Sequence, residues 1–185
     1  EKNKKLKRKW LNKTAQDQDK PFEEKSMAMI YEKPSTRTRM SFDIAAKQLG
    51  GSSIILNPDG IHYGKGEESL EDTAKVLTEY VDIVMLRTSS HENLEEFGKH
   101  LNIPIINGLS DTGHPCQIMS DILTYEESNG NIEGKTVAWL GDGNNNMSNS
   151  LIEAASKFKF NLRIACPKKY SPSKKILIWA KSNKV

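Results

Sequence analysis

The chain has 185 residues, of which 36% are hydrophobic and 28% are charged, and its formal net charge is +3. This length suits one complete domain and part of a second, and this composition is typical of packed cores rather than disorder. The small net charge gives no reason to expect nucleic acid as a main partner. No apolar run approaches the roughly 18 residues that a membrane-spanning helix needs, so a membrane partner is not expected either.

The two cysteines, Cys116 and Cys166, are far apart and form no CxxC pair. They predict neither a disulfide framework nor a zinc site, and they favour a reducing compartment such as the cytoplasm. No signal peptide is recognisable, but the chain begins with Glu1 rather than Met, so a preceding targeting segment is left open.

The N-terminal segment is strongly basic, because seven of its first 13 residues are Lys or Arg. It has two interpretations: a patch for nucleic acid or lipid, or the solvated face of a helix whose Leu6 and Trp10 point inward. We favour the second, because no aromatic or Arg-rich platform accompanies the lysines.

Short apolar segments alternate with segments of helical periodicity along the chain. The predicted strands are 26–31, 53–56, 83–86, 103–106, 136–140 and 162–166. The predicted helices are 38–49, 70–81 opened by a Ser69 cap, 93–101, a helix through Ile118 that ends before Ser128, 147–158 and 173–180. This alternation predicts an α/β fold with parallel sheets in three-layer domains.

The polar segment Ser128-Asn129-Gly130 is the best candidate for a domain boundary. It predicts a nearly complete first domain over 1–129 with four strands, and a second domain over 130–185 with two. Two strands are too few for a stable sheet, so we expect the second domain to be only partly present.

Ligands of parallel α/β folds bind at the carboxyl ends of the strands. The first strand is followed by Ser35-Thr36-Arg37-Thr38-Arg39, where a helix is predicted to begin. Free amides, hydroxyls and guanidinium groups together form a phosphate cradle without a glycine-rich loop. The alternative is a simple N-cap by Ser35 or Thr36, which needs only one such residue.

Three further strand ends carry polar candidates. Arg87 follows the third strand, and the segment after the fourth leads to His114 and Gln117 at a helix start, although a lone His is more often structural. The fifth is followed by Gly141-Asp142-Gly143-Asn144-Asn145-Asn146. This segment suits an amino-acid head group or a plain Asn/Gly turn, and it lacks the third glycine of a dinucleotide-binding turn.

Two of these segments resemble motifs of the aspartate and ornithine carbamoyltransferase family. The run 35–39 resembles its carbamoyl-phosphate signature, and His114-Pro115-Cys116-Gln117 resembles its His-Pro-x-Gln motif. The resemblance covers almost the whole chain. The ornithine branch is nearer, because the segments 33–34, 107–111, 121–124 and 141–150 are similar to ornithine enzymes and a basic, His-containing segment of the aspartate branch is absent.

The resemblance implies roles for individual residues. The residues implied to bind carbamoyl phosphate are Ser35, Thr36, Arg37, Thr38, Arg87, His114, Gln117 and His62, the last across a subunit boundary. Arg87, His114 and Thr38 would also act in catalysis by stabilising a negatively charged oxygen. Asn146, or alternatively Asn145, would contact ornithine.

The implied reaction carries the carbamoyl group from carbamoyl phosphate to the side-chain amine of L-ornithine, giving L-citrulline and phosphate in arginine metabolism. It needs no metal and no cofactor, and the family is expected to form homotrimers with shared active sites. The Ser-Met-Gly and His-Cys-Leu-Pro elements of the family are absent from the sequence, so we expect binding without turnover. Alternatives are a transcarbamoylase acting on aspartate, putrescine or acylornithine, a non-catalytic carbamoyl-phosphate-binding fragment, and a nucleotide-binding oxidoreductase.

Overall fold

The structure is a computed structural model that describes residues 20–57 and 68–185. The basic N-terminal segment and His62 lie outside the described residues. The chain divides into two compact units, Glu1–Gly108 and Leu109–Val185.

The first unit is built from alternating strands and helices. Its elements are β1 (Ser26–Tyr31), α1 (Thr36–Gln48), β2 (Ser52–Leu56), α2 (Leu70–Tyr80), β3 (Ile83–Arg87), α3 (His91–His100) and β4 (Ile105–Leu109). The second unit continues with α4 (Pro115–Asn129), β5 (Thr136–Leu140), α5 (Asn146–Phe158), β6 (Asn161–Ala165), a 3-10 turn (Lys168–Tyr170) and α6 (Lys174–Ser182). Among the helices of the described ranges, none has the length and apolar character that a bilayer crossing requires.

The first unit contains a four-stranded sheet in the order β2-β1-β3-β4. β1 pairs in parallel with β2 on one side and with β3 on the other, and the register places Tyr31 beside Arg87 at the carboxyl ends. The predicted α/β class, with parallel pairing and four strands in this region, is confirmed.

Helices cover both faces of this sheet. Side chains alternate between the two faces along each strand, so each face has its own buried core. On one face the buried core joins β1 and β3 to α2 and α3, through Ala28, Ile30, Val84, Leu86, Ala74, Leu77, Val81, Phe97 and Leu101. On the other face it joins Met27, Met29, Tyr31 and Met85 to Phe42 of α1. Arg87 shares the second face, since it lies two residues beyond Met85 on the same strand.

The second unit pairs β5 and β6 in parallel, with Trp139 beside Ile164. Its core packs α4 against α5 and the sheet, through Ile118, Ile122, Ile132, Ala154, Ala155 and Phe160. The two strands predicted for this region are therefore confirmed.

The fourth strand was predicted two residues too early, over 103–106, whereas β4 spans Ile105–Leu109. Pro104 has no N–H to donate to a ladder, and only its carbonyl is used, as an acceptor for the Val84 N–H at 3.0 Å. Gly108 then lies inside the strand, where an added Cβ would come within 2.3 Å of the Met85 sulfur.

The helix predicted to end before Ser128 continues to Asn129. It ends at Gly130, which has a φ of 80° and donates its N–H to the Glu126 carbonyl at 3.0 Å. A positive φ suits glycine, so this residue, rather than the polar pair before it, decides where α4 stops.

Candidate functional site

The junction between β1 and α1 holds the first group of candidates. Ser35 is the N-cap of α1: its hydroxyl accepts from the Thr38 N–H at 3.4 Å and donates to Thr38 Oγ1 at 2.8 Å. The cap interpretation is therefore correct for Ser35. Thr36 and Arg37 follow in the first turn of α1 with exposed side chains, at a helix end whose partial positive charge favours anions.

Arg87 ends β3 and reaches the same helix start. Its Nη1 donates to Thr38 Oγ1 at 3.3 Å, so Ser35, Thr38 and Arg87 form one continuous chain of hydrogen bonds. The Nε of Arg87 is buried and has no hydrogen-bond partner among the described residues. Since buried donors are rarely left unsatisfied, this guanidinium is suited to an additional acceptor such as a ligand oxygen.

A carboxylate that the sequence left without a role joins the two loops. Glu32 Oε2 accepts from Thr88 Oγ1 at 2.6 Å and from the Ser89 N–H at 3.1 Å, while the Glu32 N–H donates to the Arg87 carbonyl at 2.9 Å. Thr88 is fully buried. In the sequence, Glu32 directly follows β1, and the hydroxyl residues Thr88 and Ser89 directly follow Arg87 at the end of β3. No local pattern indicates that these residues form hydrogen bonds with one another.

Arg39, the last residue of the signature, has a local structural role. Its Nη2 donates to Asn57 Oδ1 at 2.8 Å, and its guanidinium lies 5.0 Å from the centroid of the Tyr31 ring. Burial raises the pKa of Tyr31 to about 12, although the positive charges of Arg39 and Arg87 act in the opposite direction. Arg39 therefore ties α1 to β1 and to the end of β2.

His114 and Gln117 belong to the start of α4 in the second unit. His114 occupies the N-cap position without capping through its side chain, Pro115 follows as the first helical residue, and the His114 N–H donates to Ser150 Oγ at 2.7 Å. Gln117 is exposed, and its Nε2 donates to Asp121 Oδ1 at 2.8 Å. Between them, burial raises the pKa of the Cys116 thiol, which disfavours the reactive thiolate.

The structure distinguishes the two asparagines at the start of α5. Asn145 is the N-cap: its Oδ1 accepts from the Met147 and Ser148 amides, and its Nδ2 donates to the Asp142 carbonyl at 2.6 Å. Asn146 uses its Nδ2 to donate to the Ser110 carbonyl at 3.0 Å. Both ends of the Asn145 amide are therefore engaged locally, whereas no described residue donates to Asn146 Oδ1.

The candidates thus form two groups, each within one compact unit. Ser35, Thr38 and Arg87 are joined in the first unit, and His114 and Asn146 are tied to one loop in the second. Within residues 20–57 and 68–185, no cluster of three or more His, Cys, Asp or Glu side chains is arranged to hold a metal ion.

The fold and this group of residues define a parallel α/β protein whose strand ends are suited to a small anionic ligand. Residues 1–127 match the carbamoyl-phosphate-binding domain of the aspartate/ornithine carbamoyltransferases, and residues 133–185 match their aspartate/ornithine-binding domain. The chain belongs to the aspartate/ornithine carbamoyltransferase family.

The chain is similar to ornithine carbamoyltransferases of several organisms. That of Brucella ovis is 51% identical over 165 residues, covering 89% of this chain and 52% of the relative, and that of Mesorhizobium japonicum is 48% identical over 169 residues, covering 91% and 55%. The solved ornithine carbamoyltransferase of Pyrococcus furiosus has a TM-score of 0.86 and 40% identity, covering 97% of this chain and 56% of that one. That of Burkholderia thailandensis has a TM-score of 0.82 and 42% identity, with coverages of 92% and 57%. The chain spans about half the length of the curated relatives it matches.

Proposed function

We propose that the protein to which this chain belongs transfers the carbamoyl group of carbamoyl phosphate to the side-chain amine of L-ornithine, giving L-citrulline and phosphate. About 50% identity to ornithine carbamoyltransferases supports the ornithine branch. The observation that carries the phosphate half is the hydrogen-bonded chain Ser35–Thr38–Arg87 at the start of α1. The Arg87 guanidinium, whose buried Nε has no hydrogen-bond partner among residues 20–57 and 68–185, is suited to bind a doubly charged phosphate.

The proposed chemistry assigns a role to each candidate. The neutral amine attacks the carbonyl carbon, a C–N bond forms, the C–O bond to phosphate breaks, and the amine loses a proton. Thr38, Arg87 and His114 would stabilise the negative oxygen of the tetrahedral species, and each donor of this kind contributes roughly 3 kcal/mol. Ser35, Thr36, Arg37 and His62 would hold the phosphate, Gln117 the carbamoyl amide, and Asn146 the ornithine.

We assign the ornithine contact to Asn146 rather than Asn145. The amide of Asn145 is occupied at both ends by the cap of α5, so a ligand would have to break that cap. Asn146 retains a carbonyl oxygen that can accept from an ammonium group. The same proposal keeps the domain division at 129/130, between the family matches 1–127 and 133–185, although the compact units divide at Gly108.

A homotrimer in the cytoplasm is also part of the proposal. Four apolar side chains of α1 and β2 are exposed to 42% or more: Met40, Ile44, Ile54 and Ile55. β2 is an edge strand, and an exposed apolar edge is typical of a surface that pairs with another chain. His62, which the resemblance implies to bind phosphate across a subunit boundary, is part of the same proposal.

The phosphate cradle is tested by Arg37→Ala. Removing a charge-assisted contact should weaken carbamoyl-phosphate binding by about 2 kcal/mol, measured by titration calorimetry on the 185-residue chain. Arg163→Ala is the matched control, because Arg163 is an exposed arginine on β6, and it should leave the affinity unchanged. Equal affinity of the wild-type and Arg37→Ala chains would refute the cradle.

Turnover is tested separately by citrulline formation. The 185 residues are expected to bind carbamoyl phosphate without producing citrulline, because the Ser-Met-Gly and His-Cys-Leu-Pro elements implied for ornithine do not occur in the sequence. Citrulline formed by this chain would contradict that expectation. Carbamoylation of aspartate or putrescine by a longer form of the protein would instead favour another transcarbamoylase.

A further inference from the structure

Three side chains of α5 bind the backbone of the loop that precedes His114, residues 110–114. Asn146 Nδ2 donates to the Ser110 carbonyl at 3.0 Å, and Asn149 Nδ2 donates to the Thr112 carbonyl at 3.1 Å. Ser150 Oγ accepts from the His114 N–H at 2.7 Å. Positions i, i+3 and i+4 share one face of a helix, so α5 presents these three groups to the loop together.

The 110–114 loop is also closed upon itself. The Ser110 N–H donates to the Gly113 carbonyl at 2.8 Å, and the Gly113 N–H donates to Ser110 Oγ at 3.1 Å. Ser110, Gly113 and Ser150 are all buried. These bonds fix the shape of the turn, and its contacts with α5 therefore position the backbone of His114.

Asn149 shows that this contact has a cost. Its Oδ1 is buried and has no hydrogen-bond partner among the described residues. A buried acceptor without a partner lowers stability, and the Thr112 carbonyl that Asn149 binds belongs to an exposed residue that water can reach. An apolar side chain at position 149 would therefore give a more stable fold. The Asn149 amide is better explained by its hydrogen bond to the Thr112 carbonyl, which holds the loop in position.

We propose that Asn149 and Ser150 are positioning residues that hold the 110–114 loop so that His114 faces the carbamoyl group. This inference rests on the proposed function, in which His114 contacts carbamoyl phosphate. Asn149 and Ser150 are assigned to neither substrate and contact the backbone of the loop. Asn146 shares the contact but is itself assigned to ornithine, so it is left out of the test.

The test compares Ser150→Ala and Asn149→Leu with Ser156→Ala in the 185-residue chain. Ser156 is a matched control on the same helix, where its hydroxyl donates to the Asn183 carbonyl at 3.3 Å instead. Calorimetric titration with carbamoyl phosphate should give about tenfold weaker binding for each loop variant, the equivalent of one lost hydrogen bond, and no change for the control.

Thermal unfolding separates positioning from a merely structural role. Asn149→Leu removes an unsatisfied buried acceptor, so its melting temperature should be equal to or above that of the wild type while its affinity falls. Amide hydrogen exchange at His114 should be faster in Ser150→Ala, because the acceptor is gone. A loss of affinity accompanied by an equivalent loss of stability in Asn149→Leu would overturn the positioning role.

The failure of this inference differs from the failure of the proposed function. If the wild-type chain binds no carbamoyl phosphate, the proposed function fails and the positioning role falls with it. If the wild-type chain binds and both loop variants bind equally well, only the positioning role is overturned.

Discussion

Glu32 is the residue that holds two of the strand ends in place. Its carboxylate receives the hydroxyl of Thr88 and the amide of Ser89, and these two residues directly follow Arg87. Thr88 Oγ1 also accepts from the Ser90 N–H at 3.0 Å, so the hydroxyl is used as donor and acceptor at once. The carboxylate therefore holds the backbone that directly follows Arg87.

Glu32→Ala should lower the free energy of unfolding by about 1–3 kcal/mol. The Thr88 hydroxyl would lose its acceptor, and because Thr88 is fully buried, water cannot take the place of the carboxylate. Urea denaturation measures this change. Glu79→Ala is the control, since Glu79 is an exposed glutamate of α2, and it should change stability by less than about 0.5 kcal/mol. Equal denaturation midpoints for Glu32→Ala and the control would show that the carboxylate contributes nothing here.

At the scale of elements, the turn between α1 and β2 depends on a glycine. A Cβ at Gly51 would lie 2.2 Å from Phe22 Cδ1, 2.5 Å from the Phe22 carbonyl oxygen and 2.7 Å from the Lys25 carbonyl oxygen. Two of these neighbours are backbone atoms on the segment leading into β1, which cannot move without displacing the central strand. Only a residue without a side chain lets β2 lie this close.

Gly51→Ala should therefore destabilise the chain by more than about 2 kcal/mol. Gly98→Ala serves as its counterpart: the new methyl group would meet Ile105 Cγ2 at an ordinary 3.5 Å, within a helix that favours alanine. That change should be neutral or stabilising by up to about 1 kcal/mol. Thermal unfolding of the two variants compares them directly, and a stable Gly51→Ala chain would contradict the close approach.

At the scale of the whole molecule, Tyr31 links stability to high pH. Its pKa is raised by burial from 10.0 to about 12, so the folded state binds the phenolic proton more tightly than the unfolded chain. The stabilisation is complete below the unfolded pKa and is lost as pH rises from about 10 to about 12. Ionisation of this buried phenol at the carboxyl end of β1 thus opposes folding.

Tyr31→Phe should remove this dependence. Lysines also titrate in this range, so the quantity to measure is the difference in unfolding free energy between the wild type and Tyr31→Phe. Between about pH 9 and about pH 12, the unfolding free energy of the wild type should fall by up to about 2 kcal/mol relative to that of Tyr31→Phe. A constant difference would show that Tyr31 ionises freely in the folded state.

Several features could be predicted from local patterns. The segments 26–31 and 136–140 were predicted as strands with the bounds that the structure has, because each is an apolar run bounded by charged or glycine residues. The segment 70–81 was predicted as a helix opened by Ser69, and α2 spans Leu70–Tyr80 with Ser69 as its N-cap. The placement of the candidate motifs after the strands followed from the same alternation.

The sequence by itself determined the α/β class, the order of the elements and the family, because apolar periodicity and short motifs act between residues close in the chain. The tertiary structure alone decided the bounds of β4, the pairing of Glu32 with Thr88 across 56 residues, and the contact of Ser150 with His114 across 36. It also decided that Asn145 caps α5 while Asn146 turns toward the 110–114 loop. These outcomes depend on which groups meet in space and find hydrogen-bond partners there, and no local periodicity carries that information.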